Sequence, residues 1–266
     1  MIESGIYSIN EWITIGALVA LFIVAIEIGY VYGFKKRDNV DDPIRNQIIT
    51  IQAAILGLLA LLLGFTFSMA VIRFEARKQL ILDESNAIGE CFLRTQILQE
   101  PVKTQISDLL RRYVDVRIAF YKAGLDEKLL EKTTQETDQL QRQLWLHAVA
   151  LGQNNPHSVM IGLFIQSLND VFQYEAKRLD ALENHVPEGI FILLYFAGIL
   201  TMGLVGYGFG LGGKRNLLAT IFTAVLVASV IFLIVDLDRP RRGMMKIGQQ
   251  SLLNLQHNFK KFQVSA

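Results

Sequence analysis

The sequence of 266 residues has few of the side chains from which disulfides, metal sites and common catalytic motifs are built. Its one cysteine, Cys91, excludes an internal disulfide and a metal site made of several cysteines. The four histidines are scattered without the spacing of metal ligands, and no GxGxxG, P-loop, HExxH or GxSxG motif occurs. From the residues themselves we therefore expect no enzyme active site, no bound metal and no cofactor.

The sequence also lacks a charge excess of either sign and any alternating β pattern. Its formal net charge is +1, so the composition gives no argument for a nucleic-acid partner. Hydrophobic residues make up 52% of the chain, and the mean hydropathy is +0.33, which is too apolar for an ordinary soluble domain. These values predict an all-α integral membrane protein with the lipid bilayer as its surroundings.

The chain is organised around residues 55–73, which are apolar and carry no charge before Arg73. With the preceding residues this segment is long enough to cross a bilayer as a helix, which takes roughly 20 apolar residues. The helical pattern continues without a break to Pro101, which predicts one long rod. Further spans are predicted at residues 12–34, 190–207 and 216–235, giving four transmembrane helices in two pairs.

Four regions follow from these spans: a first helix pair at 1–72, a helical extramembrane insert at 73–186, a second pair at 187–237, and an amphipathic tail at 238–266. Within the insert we expect one helix from Pro101 to Gly124 and another from 126 to 151, interrupted by 152–155. Pro156 fits the first turn of the next helix. The tail is expected to dock either on the insert or on the membrane surface.

Two stripes of residues run along the rod. Small residues recur on one face, where they allow close approach of another helix: Ala53, Gly57, Ala60 and Gly64. About a quarter-turn away lies a second stripe: Ala54, Leu58, Leu61, Phe65, Ser68 and Ile72. The second stripe could line a narrow apolar throat if several rods met around an axis; helix packing or lipid contact explains either stripe equally simply.

Three polar residues stand out within the predicted helices. Glu27 lies inside the first span, where a carboxylate is costly, so it is either functional or close enough to the helix end to reach headgroup water. Glu84 and Asn86 lie on the rod beside small residues. We predict a hydrogen-bonded helix crossing at these two residues and no catalytic role.

Orientation is weakly indicated by basic residues near the span ends. Four spans place both termini and the insert on one side of the membrane, where nine basic residues lie near span ends, against six on the other side. This count favours a cytoplasmic insert, whereas the basic run at residues 35–37, directly after the first span, favours the opposite orientation.

Short motifs resemble a known family. Leu63, Gly64 and Phe65, followed by Val71, Arg73 and Phe74, resemble the second membrane helix of bestrophins. The whole chain is similar to the bacterial bestrophin-like domain proteins, with matching segments at residues 63–80, 83–89 (DESNAIG) and 236–240 (DLDRP). The plan of two spans, a helical insert and two further spans agrees as well.

The resemblance implies a pentameric channel that conducts chloride through a hydrophobic neck of second helices, in the inner membrane with insert and termini cytoplasmic. Phe65 and Leu61 match two neck positions one helical turn apart, and Ser68 continues their stripe. The third neck position falls on Gly57, which cannot constrict a pore as a larger side chain would. That glycine favours the alternative, a non-conducting membrane scaffold or sensor that binds a cytoplasmic partner.

Charged residues at the span ends are candidates for the pore mouth. Arg73 follows Phe65 by about two turns, roughly 12 Å, and could attract anions at the inner mouth. The alternative is that Arg73 anchors the helix at the interface by pairing with Asp236 or Asp238. The resemblance also suggests a Ca²⁺ site at these two aspartates, although two carboxylates are too few for an ion that takes six to eight oxygens.

Overall fold

The structure is a computed structural model that describes residues 11–213, 216–239 and 244–264, with side chains described between residues 13 and 262 of these ranges. The helices are α1 (Glu11–Lys36), α2 (Asp42–Thr95), α3 (Val102–Lys122), α4 (Glu127–Asn154), α5 (Val159–Glu183), α6 (Glu188–Leu211), α7 (Leu217–Asp238) and α8 (Gln250–Val264). No strand occurs in these ranges, so the predicted all-α fold is confirmed. Pro240, which ends the DLDRP motif, lies outside the described residues.

Helical segments containing α1, α2, α6 and α7 are long and apolar enough to cross a membrane, as predicted. The chain divides into two compact units, each described separately below. The first, which we call the membrane unit, holds residues 11–73, 185–239 and 244–245. The second, the insert unit, holds residues 74–184 and 246–264.

In the membrane unit, α1 and α6 approach until their backbones touch. A Cβ built on Gly29 would overlap the carbonyl oxygen of Gly203, and one on Gly206 would overlap the carbonyl oxygen of Ile26. Glycine removes the side chain at such points, so helices can pack closely in a membrane. The sequence shows glycine pairs at i and i+4 in both helices, but it does not show that these pairs face each other.

Helix α2 uses one face to pack within the membrane unit. Its buried residues recur at helical spacing: Leu59, Leu63, Thr66 and Ala70. Near its start, the Oε1 atom of Gln52 lies 2.5 Å from where a Cβ on Gly208 of α6 would stand. The remaining circumference of this part of α2 is largely exposed in the single chain.

The insert unit is a helical bundle with one apolar core. The core includes Ile106, Leu110, Val114, Leu144, Phe164, Leu168 and Leu252. The Phe92 and Phe259 rings stack with 4.0 Å between centroids, so α8 docks on the insert, the first of the two predicted alternatives. Burial raises the pKa of the Cys91 thiol in this core to about 12, so the thiol stays protonated and unreactive.

Two predicted helix boundaries in the insert are wrong. The expected break at residues 152–155 is too early, because Gly152 is helical and α4 ends at Asn154. Pro156 lies before α5, whose N-cap is Ser158: its side-chain oxygen accepts a hydrogen bond from the Ile161 N–H at 3.4 Å. The end of α3 agrees with prediction, since Gly124 has a φ of +56°.

Candidate functional site

The four predicted neck residues lie on one exposed side of α2. Leu61 is 55% exposed and Phe65 is 63% exposed, and Gly57 and Ser68 are exposed too. At about 100° per residue, Leu61 and Phe65 point away from the face that carries Leu59. Large apolar side chains therefore occupy the side of α2 that the chain itself leaves uncovered, and lipid or another chain must cover them.

The small-residue stripe of α2 is also uncovered. Ala53, Gly57, Ala60 and Gly64 are all exposed. A Cβ added to Gly57 or to Gly64 would meet no atom within 4 Å. In contrast to the α1–α6 crossing, these small residues are not used for packing inside one chain, and they leave space for a helix from outside it.

The intramembrane and mouth charges are only partly accessible. Glu27 is half-buried within α1, and Arg73 is half-buried at the end of the part of α2 that belongs to the membrane unit. Eight residues separate Arg73 from Phe65, a rise of about 12 Å at 1.5 Å per residue.

Asp236 closes the turn after α7. The side chain is buried, with the residue only 2% exposed. Its Oδ1 atom accepts a hydrogen bond from the Met244 N–H at 2.7 Å, and Oδ2 accepts one from the Met245 N–H at 3.1 Å. Both oxygens thus hold the backbone at Met244 and Met245, and the tail helix α8 begins only at Gln250, later than the predicted tail.

Asp238 also uses its carboxylate to hold backbone, in this case the segment just before α6. Its Oδ2 atom accepts a hydrogen bond from the Val186 N–H at 3.0 Å and lies 3.5 Å from Nδ1 of His185. Asp238 is fully buried. Across the described ranges, no cluster of three or more His, Cys, Asp or Glu residues could hold a metal ion. Within the chain, these two aspartates therefore act as acceptors for backbone N–H groups.

The insert unit contains a buried ion cluster that the sequence analysis identified only in part. Nε of Arg117 on α3 lies 2.7 Å from Oε1 of Glu84 on α2, and its Nη1 lies 3.2 Å from Oε1 of Glu175 on α5. Nη1 of Arg178, also on α5, contacts Oε2 of Glu84. Glu84 thus joins three helices at the predicted polar crossing, whereas Asn86 is exposed and takes no part.

The cluster is charge-balanced, with two carboxylates and two guanidinium groups. Burial raises the pKa of Glu175, although Arg117 opposes this effect. Burial lowers the pKa of Arg178 to about 9, still above neutral pH, so the guanidinium remains charged. A signal for Arg117 was present in the sequence, since it lies between apolar residues in VDVRIAF, but its partners are far away along the chain.

Comparison with known proteins gives a family and a fold. The sequence model of the Bestrophin-like domain matches residues 18–252. A crystal structure of a bacterial Bestrophin homolog from Klebsiella pneumoniae is similar at 17% identity and a TM-score of 0.66, covering 95% of this chain and 98% of that one. A crystal structure of a membrane protein with a proline-to-alanine substitution gives 15% identity and a TM-score of 0.68, covering 93% and 97%. No match is found among curated proteins.

Proposed function

Since the chain belongs to the Bestrophin-like domain family, we propose that it forms a homo-oligomeric ring that conducts anions such as chloride passively. The simplest ring, by resemblance to bestrophins, is a pentamer in the inner membrane, with the insert and both termini in the cytoplasm. The pore runs along the ring axis, and its neck is made by one α2 helix from each subunit.

The observation that carries this proposal is the exposed apolar stripe of α2. Leu61 and Phe65 lie one turn apart on the side of the helix that the chain leaves uncovered. Around an axis they would form two stacked hydrophobic rings. Narrow apolar rings can gate a channel by expelling water until they widen. The small-residue stripe, about a quarter-turn away, would then allow neighbouring α2 helices to approach closely.

Among the predicted site residues, Arg73 is the one whose charge would favour anions at the inner mouth. Arg73 follows Phe65 by eight residues, a rise of about 12 Å along the helix axis, so its charge could concentrate anions below the neck without entering it. Asp236 and Asp238 are buried against backbone N–H groups, so neither presents a free carboxylate to a mouth. They are therefore left out of the proposed conduction path.

Chloride flux from proteoliposomes tests the proposal. Phe65→Ala and Leu61→Ala should raise flux, because each shortens a side chain in the constriction. The matched control is Phe222→Ala on α7, where the phenylalanine is 70% exposed and belongs to a different membrane helix. Absence of chloride flux in every condition, with the oligomer intact, would contradict the proposal. Equal chloride flux from the wild type and the two α2 variants would mean that Leu61 and Phe65 do not form the gate.

A second candidate is a non-conducting membrane scaffold or sensor that binds a cytoplasmic partner. It is favoured by Gly57, which falls on the third neck position and leaves open space around its Cα. The oligomeric mass in detergent distinguishes the two functions. A monomer or dimer cannot surround a pore with one helix per subunit, and that result would favour the scaffold.

A further inference from the structure

The buried ion cluster of the insert unit has one member that reaches the surface. The side chain of Glu175 is 12% exposed, whereas that of Glu84 is 0% exposed. The two guanidinium groups, of Arg117 and Arg178, are at most 3% exposed. A proton from solvent can therefore reach the Glu175 carboxylate without opening the helical bundle, and the Glu84 carboxylate offers no such access.

The two carboxylates of the cluster also differ in their contacts. Glu84 contacts both guanidinium groups: its Oε1 lies 2.7 Å from Nε of Arg117, and its Oε2 contacts Nη1 of Arg178. Within the cluster, Glu175 makes one contact, from its Oε1 to Nη1 of Arg117 at 3.2 Å. If Glu84 bound a proton, both buried guanidinium groups would lose a carboxylate, which is the costly outcome for buried charges. If Glu175 binds the proton instead, each guanidinium group keeps Glu84.

Groups on the neighbouring helices act on Glu175 in both directions. Arg117 on α3 favours the charged carboxylate, and so does a side-chain hydrogen bond with Gln141 on α4. The negative charge of Asp138, also on α4, opposes it. From α2 comes Glu84, which shares Arg117 with Glu175 and so weakens the hold of that guanidinium on Glu175. Burial outweighs the attraction of Arg117 and raises the pKa of Glu175.

Gln141 connects Glu175 to a groove on the surface of the insert unit. The groove has a volume of about 520 Å³, and Gln141 lines it together with Trp145 and Phe172. Nε2 of Gln141 also donates to the Tyr113 hydroxyl at 3.3 Å. Burial raises the pKa of Tyr113 to about 12, so this hydroxyl stays neutral and Glu175 is the group of this hydrogen-bonded set that changes charge. A carboxylate only accepts hydrogen bonds, whereas a protonated carboxyl group also donates one, so the Gln141 amide must present its oxygen after protonation.

From this geometry we infer that Glu175 is a proton-binding site through which the insert unit responds to pH. In the charged state, Glu175 joins α5 to α3 through Arg117. In the protonated state, Arg117 keeps Glu84 as its carboxylate partner, and the Gln141 amide turns its oxygen toward the carboxyl proton. The change thus reaches the wall of the groove beside Trp145. Proton binding in the insert unit requires neither the ring nor chloride conduction.

The fluorescence of Trp145 as a function of pH tests the inference in the full-length protein. Trp12→Phe serves as the background, since the chain has two tryptophans. On acidification from neutral pH, the emission should change reversibly, with a midpoint above the usual range of a glutamate. Glu175→Gln is neutral at every pH and should remove this transition. The matched control is Glu136→Gln on α4, a carboxylate whose side chain is 33% exposed, and it should keep the transition at the same midpoint.

Infrared difference spectra between acidic and neutral samples give a second measurement that does not use Trp145. A protonated carboxyl group has a C=O stretching band that a carboxylate lacks. Part of this band should appear with the fluorescence midpoint in the wild type and be missing in Glu175→Gln. Asp138→Asn should shift the midpoint to lower pH, because it removes a negative charge that disfavours the Glu175 carboxylate.

The outcomes separate the proton site from the proposed channel. Loss of the transition and of its infrared band in Glu175→Gln, with both kept in Glu136→Gln, supports the proton site even if no chloride flux is found. A transition that Glu175→Gln leaves unchanged overturns the proton site, and so does a wild type that shows neither the transition nor the band. Chloride flux together with either of these last results would leave the channel in place.

Discussion

Replacing Glu84 with glutamine removes one charge from the centre of the buried ion cluster in the insert unit. The glutamate is fully buried, and its two oxygens contact Arg117 and Arg178. Glutamine has nearly the same shape, but its amide N–H₂ would face a guanidinium donor. The variant therefore leaves two buried guanidinium groups with Glu175 as the one remaining carboxylate of the cluster.

The expected loss of stability is large. Removing one partner from a buried ion pair costs about 3–5 kcal/mol, because the other charge stays buried without compensation. For a domain of this size, that loss lowers the unfolding midpoint by roughly 10 °C or more. The control is Glu75→Gln on the same helix, where the carboxylate makes an exposed pair with Lys78 at 3.6 Å. An exposed pair contributes only about 0–1 kcal/mol.

Thermal unfolding of the detergent-solubilised protein measures both changes. Trp145 fluorescence reports on the insert unit, with Trp12→Phe as the common background. The double variant Glu84→Gln with Arg178→Met leaves a balanced pair of Arg117 and Glu175, so it should cost less than the two single changes together. If Glu84→Gln and the Glu75→Gln control have the same unfolding midpoint within error, the ion cluster does not stabilise the insert unit. If the double variant loses as much stability as the two single variants together, the four charges do not act as a unit.

Three further changes have defined outcomes. Gly29→Ala should prevent correct packing of α1 on α6, because its Cβ would overlap the α6 backbone, and overpacking costs about 1–3 kcal/mol or more. Gly16→Ala on the same helix is the control, because its Cβ would meet nothing within 4 Å and the variant should fold normally. The yield of monodisperse protein measures the difference between the two variants. Asp236→Asn should cost about 1.5–3 kcal/mol and speed hydrogen exchange at its two backbone donors, since one charge-assisted acceptor becomes a donor; unchanged exchange would contradict this. Burial raises the pKa of Glu175 in the folded protein, so the folded state binds the carboxyl proton of Glu175 more tightly than the unfolded state does. The contribution of Glu175 to stability therefore falls as pH rises from about 4.5 through the raised pKa. Relative to Glu175→Gln, wild type should lose stability over that pH range, and parallel curves would show that the shift is absent.

Hydropathy and helical periodicity predicted most of the fold. The four spans and the long rod of α2 follow from local composition, since lipid leaves the backbone few alternatives to a helix. That Leu61 and Phe65 lie on the same side of the rod also follows from their spacing, whereas their exposure is known only from the structure. Pro156 shows the limit of local rules: proline suits a first turn, yet Ser158 supplies the side-chain cap that fixes where α5 begins.

Long-range pairing could not be predicted. Arg117 stands 33 positions from Glu84 and 58 from Glu175, and only the packing of three helices brings their charges together. From their place after a span, Asp236 and Asp238 are candidates for a pore-mouth charge, for an interface pair with Arg73 or for a Ca²⁺ site. Their oxygens instead accept hydrogen bonds from backbone N–H groups, whose positions depend on how the chain turns back after α7.

The glycine contacts between α1 and α6 determine which part of the membrane unit can move. At these crossings even a Cβ atom would overlap the backbone of the other helix, so rotating either helix would bring a side chain into that space, and we expect the two helices to move together. Helix α2, by contrast, meets α6 through the Gln52 side chain, and a side chain can change rotamer. If the protein opens and closes, we expect α2 to move relative to the α1–α6 pair, and the packing of α1 on α6 to stay the same.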